Sequence, residues 1–298
     1  MTSPETSPRL RAIQTALSRA QAELPALQPL LDAFGPLLAT QARIFETAPG
    51  WQGSPPTVDA ERFCQGVFLL ADLGFEDMSA QLPVAAKELL PLMAASFPAL
   101  AQEFAALEKA LDSGALAPAD LAAAAFGEEL ALPGVSAQTA AFAATEITRP
   151  FLRRQAEDLL KLVKDLPWQQ NFCPVCGAAP NMSELRRVDE DNEFIKAHGG
   201  RRFLRCSCCA SEWTHKRVAC PMCGCVEPDD LVVLRDPERP FERADACKHC
   251  KAFVLCLDSG ELVDVPSPDV AALTMLPLEY QAREQGFVPL ALQPWSDL

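Results

Sequence analysis

From residue 172 the chain reads FCPVCGAAP (172–180), then RFLRCSCCASEW (202–213), RVACPMCG (217–224) and ERADACKHC (242–250). Four Cys-x-x-Cys pairs therefore fall within 78 residues: Cys173/Cys176, Cys206/Cys209, Cys220/Cys223 and Cys247/Cys250. One such pair presents two sulfurs from a single tight turn, and a tetrahedral metal site takes two turns, so these eight cysteines make two complete four-sulfur sites. Two of the turns read Cys-Pro-x-Cys-Gly. Pro174 and Pro221 fix the first corner, and Gly177 and Gly224 can adopt the positive φ that turns backbone N–H groups toward sulfur. This is the knuckle of zinc ribbons and rubredoxins.

Two other uses of such cysteines fit less well. A disulfide framework belongs to an oxidising compartment, whereas the opening residues MTSPETSPRL carry no apolar signal-like run, so the expected location is the reducing cytoplasm. A redox dithiol calls for a lone Cys-x-x-Cys opening a helix in a βαβ unit. Sequential grouping puts Cys173, Cys176, Cys206 and Cys209 in one site and Cys220, Cys223, Cys247 and Cys250 in the other, each closing a short excursion. An interleaved grouping, first pair with third, is the alternative. Cys208 competes with Cys209, but the two-residue spacing favours Cys209. Cys64, Cys225 and Cys256 read as buried small hydrophobes. His215 and His249 are the lesser candidates for ligation, and Trp213 is expected to cover a site.

Composition bounds the rest. The 298 residues are 49% hydrophobic and 22% charged, with 26 Lys and Arg against 40 Asp and Glu, for a net charge of −14. Two domains fit this length. Both halves are acidic, which disfavours a nucleic-acid partner. No apolar run approaches the ~20 residues of a bilayer span, so stable membrane insertion is not expected. The local exception is a run of eight bases between Leu185 and Arg217: Arg186, Arg187, Lys196, Arg201, Arg202, Arg205, Lys216 and Arg217. It reads as a solvated strand edge or as the one positive patch for a client.

Before residue 166 the pattern is helical. Stretches over 8–46, 58–73, 80–95, 97–112, 117–131 and 136–165 carry apolar residues at helical spacing, broken or kinked at Pro25, Pro29, Pro36 and Pro150, with Thr57 or Asp59 as a cap. After Trp168 short strand-like runs (202–205, 213–219, 231–234, 252–257) alternate with the knuckles. They look too short to build a core, so metal is expected to replace it. A helical stretch comes next over 268–285. The expected fold is α+β: an all-helical domain over 1–166, a metal ribbon over 167–217, a second over 218–265, and a C-terminal helix and tail over 266–298.

The order of the motifs, the tryptophan after the second knuckle and the arginine before the third resemble the FdhE family of formate dehydrogenase accessory proteins. The resemblance is architectural over the whole chain and reaches motif level over 170–257. It implies rubredoxin-like ribbons holding two metal ions, iron being favoured and zinc possible, with all eight cysteines as ligands. It also implies a cytoplasmic maturation factor that binds the catalytic subunit of formate dehydrogenase and is not itself an enzyme. The chain departs from the family pattern at Phe253 and Leu255, at Leu276-Pro277 and at Gln293-Pro294. Other functions for such ribbons are a rubredoxin-like electron carrier and a zinc-ribbon nucleic-acid-binding protein. No nucleotide loop, dinucleotide fingerprint or catalytic triad is legible.

Overall fold

The computed structural model describes residues 7–187 and 200–296. Its contacts divide the chain into two compact units, Met1–Pro55 with Phe75–Asp158, and Pro56–Gly74 with Leu159–Leu298.

The first unit is helical. Helix α1 (Pro8–Glu23) starts where the Ser7 hydroxyl accepts the Leu10 N–H, and it buries Leu10, Ile13 and Leu17 along one face. Pro25 ends the run expected over 8–46. A 3-10 turn, Pro25–Leu27, leads into α2 (Gln28–Thr47), which continues through Pro36. Helices α4 (Leu82–Ser96), α5 (Ala101–Ser113), the short α6 (Pro118–Ala124) and α7 (Ala137–Val163) come after α3 (Ala60–Cys64) of the other unit. Leu31, Leu82, Leu89, Phe104, Leu107 and Ile147 are 0% exposed, and each such side chain contributes about 1.5–3 kcal/mol on burial.

Helix α7 passes through Pro150, which has no N–H for the Glu146 carbonyl. The Gln41 amide of α2 donates to that carbonyl at 2.9 Å and to the Glu146 carboxylate at 2.7 Å, while Arg149 pairs with the same carboxylate. The bond lost to proline is thereby replaced across the helix pair. Among the described residues no single helix is long and apolar enough to cross a membrane. The bent pair Leu82–Ser96 and Pro98–Ser113 passes that test jointly, but its large apolar residues Leu82, Leu89, Met93, Phe104 and Leu107 are the core of this unit.

The second unit is built on one mixed sheet. Its strands are β1 (Pro180–Arg186), β2 (Arg201–Cys206), β3 (Glu212–His215), β4 (Leu231–Asp236), β5 (Arg239–Cys247), β6 (Ala252–Asp258) and the two-residue β7 (Val288–Pro289), in the order β3-β2-β1-β6-β5-β4 with β7 on β6. The chain makes the same excursion twice. A knuckle leads into β1, β2 ends in the next knuckle and β3 leaves it, and β4, β5 and β6 repeat this around the third and fourth knuckles. Within each half the pairing is antiparallel. The halves are joined by the parallel pair β1–β6, with Met182 opposite Leu255 and Leu185 opposite Asp258.

This joint corrects one expectation. The strands do build a core, because fusing two three-stranded ribbons makes β6 a central strand. Every residue from Ala252 to Leu257 is at most 9% exposed, and AFVLCL is the continuous apolar run of a strand covered on both faces. The helix expected over 268–285 breaks at Met275, just ahead of Pro277, into α8 (Pro268–Thr274) and α9 (Leu276–Glu284), and α9 packs beside the sheet.

The helix expected over 58–73 is only α3, capped by the Asp59 carboxylate. Gly66, at φ +99°, stops it. The rest of that stretch, through Gly74, belongs with the sheet. Phe63 packs on Trp168 and Phe68 on Phe172, and the N–H groups of Leu69 and Leu70 donate to the carbonyls of Pro174 and Val175. A segment distant in sequence thus buttresses the first knuckle.

Candidate metal centres

The sulfurs of Cys173, Cys176, Cys206 and Cys209 converge in one group and those of Cys220, Cys223, Cys247 and Cys250 in another, with every sulfur of a group within 4.8 Å of the others. The grouping is sequential, not interleaved. In the first group Cys176 lies 3.5 Å from Cys206 and from Cys209, and Cys173 lies 3.6 Å from Cys209. In the second, Cys220 lies 3.5 Å from Cys250 and Cys223 lies 3.8 Å from Cys247. A disulfide would need ~2.05 Å. A tetrahedral ion held at ~2.3 Å sets its sulfurs ~3.8 Å apart, which is the spacing found. Each tetrad is thus suited to hold one metal ion, and four sulfur donors fit zinc or iron equally.

The backbone makes these groups by one repeated device. In each knuckle the residue after the second cysteine donates its N–H to the carbonyl of the first. These bonds are Gly177 to Cys173 (3.0 Å), Ala210 to Cys206 (3.2 Å), Gly224 to Cys220 (2.9 Å) and Lys251 to Cys247 (2.8 Å). That residue has positive φ in all four, at 76°, 57°, 73° and 63°. The remaining N–H groups turn inward. Val175 and Cys176 donate to Cys173 Sγ at 3.4 and 3.5 Å, Cys209 to Cys206 Sγ at 3.4 Å, and Met222 to Cys220 Sγ at 3.4 Å. Such donors stabilise thiolate over thiol. Four thiols this close, without a cation, oppose ionisation. Contact with Cys173 above all, then with the other sulfurs, pushes the Cys176 thiol up, and burial foremost pushes Cys206 up. A bound cation reverses this balance, because thiolate is the ligating form.

The two groups differ in cover. Cys173, Cys206 and Cys209 are at most 2% exposed, whereas Cys223 of the second group is open to solvent. Trp213, expected to cover a site, is 5% exposed, and its indole N–H donates to the Gln170 carbonyl at 3.1 Å. Asn171, just before the first knuckle, donates to the Met222 carbonyl in the third at 2.9 Å, linking the two ribbons directly.

Other expectations fare unevenly. Cys208 stays outside the first group and half-buried. Cys256 is buried, and burial first of all pushes its thiol up to about 11. Cys225 is only half-buried and Cys64 is exposed, because α3 ends at that residue with its other face, at Phe63, turned inward. His215 and His249 join neither sulfur group. The basic run is only partly a surface. Arg202 and Arg205 are 4% and 8% exposed and pair with Asp245 and Asp269, while Arg186 pairs with Glu184 and Glu212. These arginines neutralise carboxylates inside the unit, a role that residue type alone does not reveal. Arg187, Arg201, Lys216 and Arg217 are exposed, and Lys196 lies outside the described residues. Sequence reasoning also missed the buttress at 56–74. Its signal was Phe63 and Phe68 flanking a glycine in a stretch too broken for a long helix.

The comparisons with known proteins agree with this geometry. A model of the family "FdhE, central domain" matches residues 172–217. A protein FdhE homolog from Aquifex aeolicus (strain VF5) is 35% identical over 121 residues, 41% of this chain and 40% of that one. Homologs from Shewanella sp. (strain MR-4) and Edwardsiella ictaluri (strain 93-146) are 34% and 33% identical over 128 and 132 residues, each match covering 38% of the relative. The matched region is thus about two fifths of these relatives' length. The crystal structure of the FdhE protein from Pseudomonas aeruginosa shares the fold over 96% of this chain and 95% of that one, with a TM-score of 0.61 at 19% identity. The chain thus carries the FdhE central-domain pattern over its first two knuckles, is similar in sequence to FdhE homologs over about two fifths of their length, and shares the fold of an FdhE protein.

Proposed function

We propose that this chain is a cytoplasmic accessory protein in the maturation of formate dehydrogenase, and that it binds the catalytic subunit of that enzyme through its metal-ribbon unit. The observation that carries the reading is the pair of converged four-cysteine groups on a single sheet, in a chain that resembles FdhE proteins in motif and fold. Cys173, Cys176, Cys206 and Cys209 would hold one ion and Cys220, Cys223, Cys247 and Cys250 the other. Such an ion supplies a rigid cross-link between knuckles and, if it is iron, a one-electron couple. The family resemblance favours iron over zinc. The chain's own part is to fix the knuckle loops as exposed, preorganised recognition elements beside the strands.

The reading is tested by co-expressing the chain with the formate dehydrogenase catalytic subunit and measuring co-purification together with metal content. Capture of the subunit by the metal-loaded chain, lost on substitution of either tetrad, is the expected result. An intact, metal-loaded chain that captures nothing overturns it.

One observation favours a second reading, that of a rubredoxin-like electron carrier: the exposed Cys223 offers the second centre a short path to solvent. Its mark would be a reversible one-electron wave from the iron-loaded chain with no affinity for the subunit.

A further inference from the structure

The two ends of the sheet are finished differently. At one end β3 is four residues long and carries Glu212 and His215. At the other, β4 pairs only with β5 among the described strands, so its outer edge has no strand partner. Natural edges are blunted by charge, proline or brevity. The first four residues of β4 read LVVL, with none of these, and Val233 is 48% exposed.

A hollow of about 220 Å³ opens against this edge. Leu231, Val232 and Val233 all line it. Asp245, Ala246 and Cys247 of the neighbouring β5 line it too, so the hollow lies over the β4–β5 pair, beside the unpaired edge. The facing wall is the loop at Val218–Pro221, where Val218 is 62% exposed. The polar lining is Arg202, Arg217 and Arg243 against one carboxylate, Asp245. Arg202 pairs with Asp245, and Arg243 divides itself between Asp245 (3.0 Å) and Asp258 (3.7 Å). The buried Nε of Arg202 has no hydrogen-bond acceptor, whereas that of Arg243 faces the Asp245 carboxylate. Arg217 is exposed and has no ion-pair partner among the described residues.

We propose that this groove binds an extended, carboxylate-bearing peptide, which adds to β4 as a further strand and sets its carboxylate on Arg217. Main-chain pairing to the rim supplies the affinity of such strand addition, and the pockets beside it supply the selectivity. The surplus of positive charge in the groove, on a chain of net charge −14, commits the site to an anion. A nucleic-acid strand carries many phosphates and would meet only one unpaired arginine here before meeting the acidic remainder. A peptide with a single carboxylate meets that arginine alone. Cys220 and Cys247 also line the groove, so the bound peptide lies against two sulfurs of the second tetrad. As a partner surface the groove rests on the accessory reading only for the identity of the client.

The test uses the full metal-loaded chain and a random hexapeptide library with free C-termini. Enriched peptides are expected to carry an acidic group among β-branched residues. In fluorescence polarisation Arg217→Glu should weaken the best of them at least tenfold, while Arg235→Glu, on the same strand but outside the groove, should leave it unchanged. Hydrogen exchange should slow at Leu231–Leu234 on binding. No enrichment, enrichment of basic peptides, unchanged exchange at β4, or displacement of the peptide by a single-stranded oligonucleotide would overturn the proposal. So would concentration-dependent self-pairing of β4 in place of peptide binding. Capture of the dehydrogenase subunit by the unsubstituted chain is measured alongside. A chain that binds peptide but no subunit refutes the accessory reading and leaves the groove standing, whereas a chain that captures the subunit but binds no peptide does the reverse.

Discussion

At the scale of single residues, the knuckles close on a conformation that side chains resist. Gly177 and Gly224 share it, but their surroundings differ: a Cβ on Gly177 would come within 2.6 Å of the Phe68 ring, and one on Gly224 would meet nothing within 4 Å. Gly224→Ala should therefore cost only the left-handed strain, about 1 kcal/mol, and Gly177→Ala distinctly more, as chemical denaturation would register. Ala210 and Lys251 already bear that strain, so Ala210→Gly should leave stability unchanged or raise it by up to ~1 kcal/mol. Gln41→Leu strands both the Glu146 carbonyl and its carboxylate, and a loss of about 1–3 kcal/mol is expected in the melting of the helical unit.

Glu242 gives a pH prediction. Burial raises its carboxyl from the ordinary 4.5 to about 7, against the opposing pull of Arg239 and the Thr274 hydroxyl and with a push from Asp236. The folded state therefore holds this proton more tightly than the unfolded state. The contribution is full below pH ~4.5 and is lost as pH rises through ~7. Glu242→Gln should flatten that fall in a series of denaturation curves, and an unchanged slope would exclude Glu242 as its source.

At the scale of elements, the ligands were legible because eight cysteines at fixed spacing admit few geometries, and the helices because their apolar period is long. Strand β5 was not legible. It reads RPFERADAC, and its Arg243 and Asp245 look like surface until the structure pairs them internally. Strand β1 hid for the same reason behind Glu184 and Arg186. The parallel joint β1–β6 leaves no local mark at all, since the register between distant strands is written in neither one. That joint alters what a ligand substitution does. Cys176→Ser or Cys223→Ser should destabilise the whole sheet unit and not one ribbon, with the helical unit melting as before. Calorimetry should resolve the two transitions. The tetrads should also part with metal in order: a chelator is expected to strip the group of the exposed Cys223 first and the buried group of Cys173 later, as two phases in metal-release kinetics.

At the scale of the whole molecule, the division of labour separates a helical unit with an apolar interior from a sheet unit suited to hold two metal ions. Purified protein given formate and a dye acceptor is expected to show no turnover, and sustained reduction free of contaminating dehydrogenase would contradict the accessory reading. The parallel joint has a further consequence for how the chain is made. Synthesis is vectorial: β1 leaves the ribosome some 70 residues ahead of the β6 it must lie against. All four cysteines of the first tetrad have been delivered by Cys209, so an ion can clasp β1 to β2 while their later neighbour is still being translated. In a metal-starved cell that clasp is missing, and an apolar nascent edge waits unguarded. The harm of scarcity would then fall during translation, as aggregation of newborn chains, sooner than on the finished protein.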